Sequence, residues 1–532
     1  MTYYDLQPLP LGRSTFSALI AKNAIYVDKT AMVYQLAKDD AKVFLARPRR
    51  FGKSLLVSTF ESLFKHGLRD FKGLAIENLW HDKTYSVARL DFSSLKEFSS
   101  KEQFQAAFQS MVTAVFSPFG FEYEVDNNQG IQWTDQLKTW MTSLPPSSLV
   151  ILIDEYDAPL TAHLDQPEKF IAIRDTLEKL YSVIKEAEGC LRFFFMTGIT
   201  KFSNTSIFSA FNNLTDISLV PAYGTLLGIT ENELTDYFGG YIAKAADKLE
   251  LSQAEVLEKL RQNYDGFSFD NKAKTHVYCP WSILQFFNLP DNGFQNYWYQ
   301  SGGQPTVLLQ YLAQHALVNP AQYNESIVIP ISDLDASRHY KEINIDVLLT
   351  QSGYLTGKEI IGEGYIRLGY PNQEVATSMA RLYADELLRN QNRMALGIPM
   401  LPVILANDSI ESVFKHFNQA FNALDYHRYP VVDEAATRSL LQVLLLGAAL
   451  MPRVENHTAL GRSDLEVEAG NRHWVFEIKF ARKDENVEGL LAQAVDQVKS
   501  RRYGEFAHGK ELLRVAMVFS ETERQFVAWE KI

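Results

Sequence analysis

The sequence is poor in cysteine and has no long apolar run, and each absence excludes a class of protein. Two cysteines, Cys190 and Cys279, are too few for a disulfide framework or a cysteine-rich zinc site. The longest nearly apolar stretch is the 12 residues 440–451, whereas a membrane-spanning helix needs about 20. The first residues, MTYYDLQPLP, show no secretory signal. We therefore expect a cytoplasmic protein with no membrane contact.

An excess of positive charge is also absent. The chain has 52 Lys and Arg against 64 Asp and Glu, a formal net charge of −12. No overall basic field draws it to nucleic acid, so any contact with phosphate must be local. The 532 residues are 46% hydrophobic and 22% charged, as in ordinary globular proteins. This length exceeds what one hydrophobic core supports and predicts two to four domains.

The pattern of apolar residues divides the chain into three regions, 1–220, 221–430 and 431–532. The first alternates short apolar runs with helical patterns, which is typical of a parallel α/β sheet. Its predicted strands are 42–46, 87–92, 149–153 and 191–196. The second region is mostly helical. The third predicts a small mixed α/β domain with helices at 434–450 and 486–501 and strands at 463–468, 474–480 and 512–519.

A candidate phosphate-binding loop lies between the first predicted strand and a helical pattern at 54–64. Its sequence is RPRRFGKS, residues 47–54. Backbone N–H groups at the start of a helix face an anion, a lysine reaches the β and γ oxygens, and a serine hydroxyl ligates Mg²⁺. Arg47 stands where the usual pattern has its first glycine, and a basic surface turn is the alternative interpretation. The residues expected to surround the nucleotide here are Arg49, Arg50, Phe51, Gly52, Lys53 and Ser54.

Two further strands end in polar residues that suit the same site. The strand at 149–153 runs directly into Asp154 and Glu155. One carboxylate at such a position can lie beside Mg²⁺ and the next can polarise a water molecule, although acids also close strands for structural reasons. The strand at 191–196 is followed by Thr197, which we predict to contact the γ-phosphate.

A second candidate site lies near the C-terminus. Glu477 and Lys479 share one face of a predicted strand because side chains alternate, and a short hairpin brings Asp464 alongside them. Two carboxylates can hold Mg²⁺ with open positions for phosphate, and the lysine can orient a water molecule. The alternative is a solvated sheet face with an exposed ion pair. Gln497 and Tyr503 are weaker candidates, because a polar helix face explains them equally well.

Several motifs together resemble the prokaryotic AAA-ATPase-like family whose members carry a C-terminal PD-(D/E)XK nuclease domain. The residues that carry the resemblance are YVDKT (26–30), RPRRFGKS (47–54), IDEYDAPL (153–160), MTGITKFS (196–203), LLGITENE (226–233), NYDGFSF (263–269), VYCPWSIL (277–284), GRSDLEV (461–467) and VFEIKF (475–480). In VYCPWSIL, Cys279 replaces an expected Asn. The segment 331–430 is the least similar.

The resemblance implies an α/β protein with a P-loop NTPase parallel sheet over 1–220, a helical middle region over 221–430 and a restriction-endonuclease-like domain over 431–532. It implies ATP and Mg²⁺ as cofactors. Lys53 is then the phosphate ligand, and Ser54 and Asp154 are the Mg²⁺ ligands. The remaining implied roles are Glu155 on the attacking water, Asp464 and Glu477 as nuclease metal ligands, Lys479 as the catalytic lysine, and Glu434 or Glu455 as an additional helical acid.

Three functions remain open on the sequence alone. In the first, the P-loop module hydrolyses ATP and regulates or positions a Mg²⁺-dependent nuclease on DNA. In the second, ATP drives a binding switch, and the C-terminal domain holds nucleic acid or protein without cleavage. In the third, the nuclease-like fold is retained for structure alone. The expected partners are a nucleotide and DNA, and self-association into a homo-oligomer is a further expectation.

Overall fold

A computed structural model describes residues 6–124, 132–164, 166–201, 213–300, 323, 327–335, 344–387, 398–423, 426, 430–448, 450, 452–458, 461–501 and 509–532. These residues fall into two compact units. The first lies within Met1–Tyr311 and Ile327–Asn372, and the second within Leu312–Ser326 and Gln373–Ile532. The boundary after Asn372 therefore falls inside the middle region expected at 221–430.

The first unit is built on a parallel sheet, as the sequence predicts, and this sheet has five strands. Its strands are β1 (Lys42–Ala46), β2 (Ser86–Asp91), β3 (Leu149–Asp154), β4 (Leu191–Gly198) and β5 (Thr215–Asp216), in the spatial order β2-β3-β4-β1-β5. The four longer strands confirm the predicted ones, with ends that differ by one or two residues. The two-residue β5 was not predicted, because it is too short to carry a periodic signal.

Helices cover both faces of this sheet, which explains why β3 and β4 are buried along their whole length. On one face, Phe60 of helix Lys53–His66 packs with ring centroids 4.9 Å from Phe193 and 5.0 Å from Phe195. Alternate residues of the same strand, such as Phe194, face the other core. The helices over that second core are Lys101–Phe116, Trp133–Ser143 and Pro167–Glu186.

The strand order brings the polar strand ends to one edge of the sheet. Since the strands are parallel, their carboxyl ends all meet at that edge. β4 lies between β1, which leads into the loop at 47–52, and β3, which ends at Asp154. Ligands of open α/β sheets bind at this edge. The two candidate motifs of the N-terminal region are therefore neighbours in space.

The rest of the first unit is mainly helical and has a second core. The helices Glu231–Leu249, Gln253–Tyr264 and Pro280–Asn288 pack around Phe238, Leu260 and Phe286. A three-stranded antiparallel sheet, with β8 (Tyr365–Gly369) between β6 (Ile327–Pro330) and β7 (Thr356–Ile361), was not expected in this region. The remaining helices are Phe16–Ala21, Thr30–Ala37, Ala158–Thr161, Tyr297–Gln300, Ile331–Asp335 and Ile345–Gln351.

The second unit contains a five-stranded mixed sheet in the order β13-β12-β11-β10-β9. Its strands are β9 (Arg453–Thr458), β10 (Gly461–Ala469), β11 (Arg472–Ala481), β12 (Glu511–Ser520) and β13 (Gln525–Lys531). β11 and β12 are parallel and the other pairs are antiparallel. The mixed α/β prediction is confirmed for the central strands. Both edge strands, β9 and β13, were missed.

Helices again lie on both faces of this second sheet. Phe476 packs on Phe417 of helix Ile410–Asn422 on one face. On the other face, Val475 packs on Val498 of helix Val487–Arg501. The other helices of the unit are Gln373–Leu387, Leu401–Asn407 and Glu434–Gly447.

Short 3-10 turns lie at Gly67–Asp70, Ala75–Asn78, Phe92–Leu95, Ser117–Phe119, Glu188–Cys190, Pro221–Tyr223, Pro290–Asn292 and Ile398–Met400. Within the described residues, no helix combines the length and apolarity needed to cross a membrane.

Candidate functional site

The loop after β1 has the backbone of an anion-binding turn. The helix Lys53–His66 begins directly after Gly52, whose φ is 90°, and Arg50 is also left-handed, with φ 72°. Turns of this kind aim successive N–H groups at one point, where the helix dipole adds positive potential. Gly52 is needed because a side chain is strained at this φ. The loop therefore has both the main-chain shape and the polarity to hold phosphate.

Arg47 anchors the start of this loop. Its main chain is not left-handed, so no glycine is required there. The side chain is 1% exposed, and its guanidinium donates to the carbonyls of Ala46, Ser218 and Tyr223 and lies 4.4 Å over the ring of Phe269. Burial lowers its pKa to about 9, against the opposing charge of Asp216. At this position the loop therefore lacks the main-chain freedom of the usual glycine, and the buried side chain of Arg47 holds the loop in place instead.

Other loop side chains also anchor the loop. Phe51 is 1% exposed and packs edge-on against Phe267 and Phe269. The guanidinium of Arg50 lies 4.3 Å over the ring of Trp281. Arg49 is half-buried beside them. Of this predicted set, Phe51 can contribute only its main chain to a ligand, because its ring is enclosed in the aromatic cluster.

Lys53 points back into the loop. Its ammonium donates to the carbonyl oxygens of Arg47 and Pro48, both at 3.0 Å, and the residue is 8% exposed. Burial lowers its pKa to about 8, while the carboxylates of Asp157, Glu155 and Asp154 act to raise it. The cation is thus held where phosphate oxygens can replace the two carbonyls as acceptors.

Asp154 and Ser54 meet across the sheet edge. Asp154 is 2% exposed, its side chain is hydrogen-bonded to that of Ser54, and Arg89 Nη2 lies 3.8 Å from Asp154 Oδ2. Burial raises the pKa of Asp154, and the nearby Asp91 raises it further. A hydroxyl and a carboxylate in contact are a donor set that suits Mg²⁺, which accepts few protein oxygens and retains water.

Glu155 and Thr197 have partners that the sequence did not indicate. Glu155 is left-handed, with φ 48°, and its Oε2 lies 3.2 Å from Nζ of Lys96. A non-glycine residue in this conformation is uncommon, and such strain collects at functional sites. Thr197 is fully buried, and its hydroxyl donates to the carbonyl of Leu45 at 2.7 Å. That hydroxyl ties β4 to β1, so contact between Thr197 and phosphate stays a prediction.

Asp157 is a buried acid at this edge that sequence analysis did not single out. It is 1% exposed and accepts from the N–H groups of Ile199 and Thr200. Burial raises its pKa, and the hydrogen bonds from Thr200 and the charge of Lys53 oppose this. The available signal was its place in IDEYD, three residues after Asp154. Only the fold shows what it contacts.

An open pocket adjoins the phosphate loop. Its lining is mostly apolar and combines the first turn of the helix after Gly52 with the YVDKT and LLGITENE segments. Lys29 lines it too, and its ammonium lies 2.5 Å from Oε1 and 2.6 Å from Oε2 of Glu233. The apolar lining residues include Val27, Leu55, Leu56, Leu227, Ile229 and Pro280.

The C-terminal candidates gather on one face of the β10–β11 hairpin. The antiparallel register pairs Leu465 with Phe476. Asp464 and Glu477 are the next residues on the two strands beyond this pair, and the charge of Asp464 acts on Glu477. Lys479 follows on that face. Oδ2 of Asp464 accepts from the Ile478 N–H at 2.8 Å, which fixes this carboxylate against β11.

Glu477 is the most deeply enclosed of these acids. Its side chain is 0% exposed, and its Oε2 has no hydrogen-bond partner among the described residues. Burial raises its pKa to about 8, with Asp464 and Glu434 adding to the shift and Lys479 opposing it. A buried carboxylate oxygen without a partner is costly. The exposed ion pair considered as an alternative does not match this burial.

Lys479 joins three acids at this site. Its Nζ lies 3.3 Å from Glu434 Oε1 and 3.4 Å from Glu477 Oε1. Burial acts to lower its pKa, but Glu434, Glu477 and Asp464 together raise it. Glu434, at the start of helix Glu434–Gly447, is half-exposed and reaches the site from outside the sheet. The ammonium is therefore firmly cationic and held among carboxylates.

The weaker nuclease candidates, Gln497 and Tyr503, stay predictions. Gln497 is half-buried on helix Val487–Arg501, which packs against β11. Tyr503 lies outside the described residues, and so does the side chain of Glu455, on β9. Across the described part of the chain, no group of three or more His, Cys, Asp or Glu side chains is arranged to hold a metal ion.

Comparison with known proteins identifies a domain family at each end of the chain. A relative from Azotobacter chroococcum mcd 1, described as an uncharacterized protein in the vnfD 5' region, is 29% identical over 532 residues and spans 98% of each chain. Residues 10–208 match the family model described as "Predicted AAA-ATPase", and residues 433–529 match that of the PD-(D/E)XK nuclease superfamily. The chain thus carries an AAA-ATPase-like domain at its N-terminus and a PD-(D/E)XK nuclease superfamily domain at its C-terminus.

Proposed function

We propose that the N-terminal unit binds and hydrolyses ATP, and that it regulates or positions a Mg²⁺-dependent phosphodiesterase site on DNA in the C-terminal unit. The observation that carries the first half is the buried Lys53 ammonium, held in a left-handed loop with Asp154 and Glu155 at the same sheet edge. An ammonium in this position can bind phosphate, whose oxygens would then replace its two carbonyl partners.

The residues present fit Mg²⁺ at the phosphate loop. Ser54 and Asp154 would hold it, since their side chains already touch. When bound there, Mg²⁺ would supply positive charge that offsets the negative charge developing on the phosphate. Glu155 follows directly on the chain, where a carboxylate can orient a water molecule toward the γ-phosphate. Its present partner Lys96 would be released when Glu155 turns to that water.

The apolar pocket beside the loop supports a nucleotide rather than inorganic phosphate as the ligand. It adjoins Gly52 and the first turn of the following helix. A purine ring is flat and largely apolar, and aliphatic walls such as Leu55, Leu227 and Ile229 suit it. The YVDKT and LLGITENE segments both line this pocket, so a nucleotide bound there would account for both motifs.

The C-terminal hairpin fits one hard cation. Asp464 and Glu477 would hold it, and the partnerless Oε2 of Glu477 is the atom such an ion would satisfy. The ion would polarise a phosphodiester and lower the pKa of a bound water molecule. Lys479, next to Glu477, would stabilise negative charge on the phosphate. DNA fits a phosphodiester site of this kind, although the net charge of −12 requires the contact to be local.

One observation favours the alternative, an ATP-dependent switch whose nuclease-like domain binds without cleavage. Lys479 pairs with both Glu434 and Glu477, so the charges at the site already balance in part without a cation. If that pairing persists when DNA binds, the domain would hold nucleic acid or protein and leave it intact.

Two assays with matched controls test the proposal. For nucleotide, ATP binding by the wild type is compared with Lys53→Ala and with Lys65→Ala, an exposed lysine on the same helix. For cleavage, Mg²⁺-dependent plasmid nicking is compared with Asp464→Ala and with Glu468→Ala, an exposed acid on the same strand. The proposal is supported if Lys53→Ala loses ATP binding and Asp464→Ala loses cleavage while both control variants behave as the wild type. Full cleavage by Asp464→Ala would contradict the nuclease half, and DNA binding without cleavage would favour the alternative.

A further inference from the structure

Asp157 binds the segment that leaves β4 through several hydrogen bonds. Its Oδ2 accepts from the N–H of Ile199 at 3.1 Å, and from the N–H of Thr200 at 2.8 Å and its hydroxyl at 2.6 Å. The carboxylate is 1% exposed, so water cannot substitute for these donors. One buried side chain therefore sets the path of the chain beyond β4.

The neighbouring Tyr156 attaches to the same segment. Its N–H donates to the carbonyl of Thr197 at 3.1 Å, and its hydroxyl donates to the carbonyl of Thr200 at 2.8 Å. Between these contacts, a Cβ on Gly198 would lie 2.5 Å from Oδ1 of Asp157. Only glycine allows the two segments to approach so closely, so their contact is a feature built into the sequence.

The position of this contact gives it a consequence for the phosphate site. β4 lies between β1 and β3, so its exit is adjacent to both the phosphate loop and the acid-bearing turn. Asp157 follows Glu155 by two residues, and its charge also acts on Lys53. These contacts therefore fix the turn that carries Glu155 relative to the segment that follows β4.

We propose that Asp157 is a positioning residue for ATP hydrolysis, which fixes the exit of β4 against the turn that presents Glu155 to the attacking water. It does not touch the nucleotide. The inference rests on the proposed ATPase function. Because misplacement of a catalytic group by about 1 Å can cost about 100-fold in rate, loss of this contact should lower kcat and leave nucleotide affinity largely intact.

Asp157→Asn tests this, with Asp270→Asn as a matched control. Asp270 is also buried, 3% exposed, and accepts from the N–H groups of Lys272 and Thr275 and from the Thr275 hydroxyl. It holds the turn 270–275, next to the segment that follows β5, whereas Asp157 holds the segment that leaves β4. We expect Asp157→Asn to lower kcat about tenfold or more with KM for ATP within about threefold, and Asp270→Asn to change kcat less than about twofold.

A milder variant tests the same contact if Asp157→Asn fails to fold. Thr200→Val removes a single donor from the carboxylate and should lower kcat about threefold at unchanged KM. An active wild type whose kcat is unaffected by both Asp157→Asn and Thr200→Val would overturn the role of Asp157 alone. Equal losses in Asp157→Asn and Asp270→Asn would assign the effect to general destabilisation and also overturn it. A wild type that neither binds nor hydrolyses ATP would remove the proposed function and this inference together.

Discussion

Nζ of Lys479 lies 3.4 Å from Oε1 of Glu477, a carboxylate that is completely enclosed in the protein. The other oxygen of Glu477 has no hydrogen-bond partner in the described part of the chain. A lysine can compensate one oxygen of such a group but not both. The hairpin thus presents a half-satisfied carboxylate beside Asp464, and a cation or a proton is needed to complete it.

Without a cation, Glu477 should make stability depend on pH. Its folded pKa is raised from 4.5 to about 8, so the folded protein holds a proton that the unfolded chain releases above pH 4.5. This contribution is fully present below pH 4.5 and is lost as pH rises through 8. Glu477→Gln imitates the protonated form at all pH values. In chelator it should therefore be more stable than the wild type by about 4 kcal/mol near pH 7.5.

Urea unfolding at pH 5 and pH 7.5 measures this difference. The gain from Glu477→Gln should shrink toward pH 5, where the wild type is protonated as well. Glu468→Gln, on the exposed part of the neighbouring strand, is the control and should show no such gain. A stability difference that is the same at both pH values would mean that Glu477 is not the group that titrates.

Glu155→Gln should separate binding from hydrolysis. The amide keeps the shape of the side chain but cannot accept a proton from water, so ATP affinity should stay within about twofold while hydrolysis falls about 100-fold or more. Equilibrium binding and steady-state turnover give the two numbers. Glu168→Gln, at an exposed site in the same unit, should leave both unchanged. Turnover at the wild-type rate would exclude Glu155 as the residue that activates water.

Arg47→Ala should destabilise the first unit. The substitution leaves carbonyls of Ala46, Ser218 and Tyr223 without their buried donor and removes the contact with Phe269. We expect a loss of about 2–4 kcal/mol in the free energy of unfolding. Arg69→Ala removes an exposed ion pair and should leave the free energy of unfolding nearly unchanged. Similar small losses in both variants would show that Arg47 does not anchor the loop.

The sequence predicts features that depend on nearby residues. The strand-loop-helix around Lys53, the acids that end β3 and the hairpin carrying Asp464 and Glu477 all follow from local periodicity and short connections. Those signals are strong because side chains alternate in strands and recur every 3.6 residues in helices. They place candidate residues on elements without showing how deeply each residue is buried.

The remaining features depend on packing between distant segments. The order β2-β3-β4-β1-β5 and the edge strands β9 and β13 have no local signature. Burial of Glu477 requires elements packed over its own face of the sheet, and the contacts of Asp157 require β4 to lie beside β3. Arg47 was interpreted as a departure from a glycine pattern, because its partners at Ser218 and Tyr223 are more than 170 residues away.

The central claim is that nucleotide at the first unit controls cleavage by the second. The most direct measurement is the rate of Mg²⁺-dependent plasmid nicking with and without ATP, in the wild type and in Lys53→Ala, whose nuclease residues are intact. The account predicts that ATP changes the wild-type rate several-fold and leaves the rate of Lys53→Ala unchanged. Nicking that is equal with and without ATP in the wild type, at the rate shown by Lys53→Ala, would contradict it.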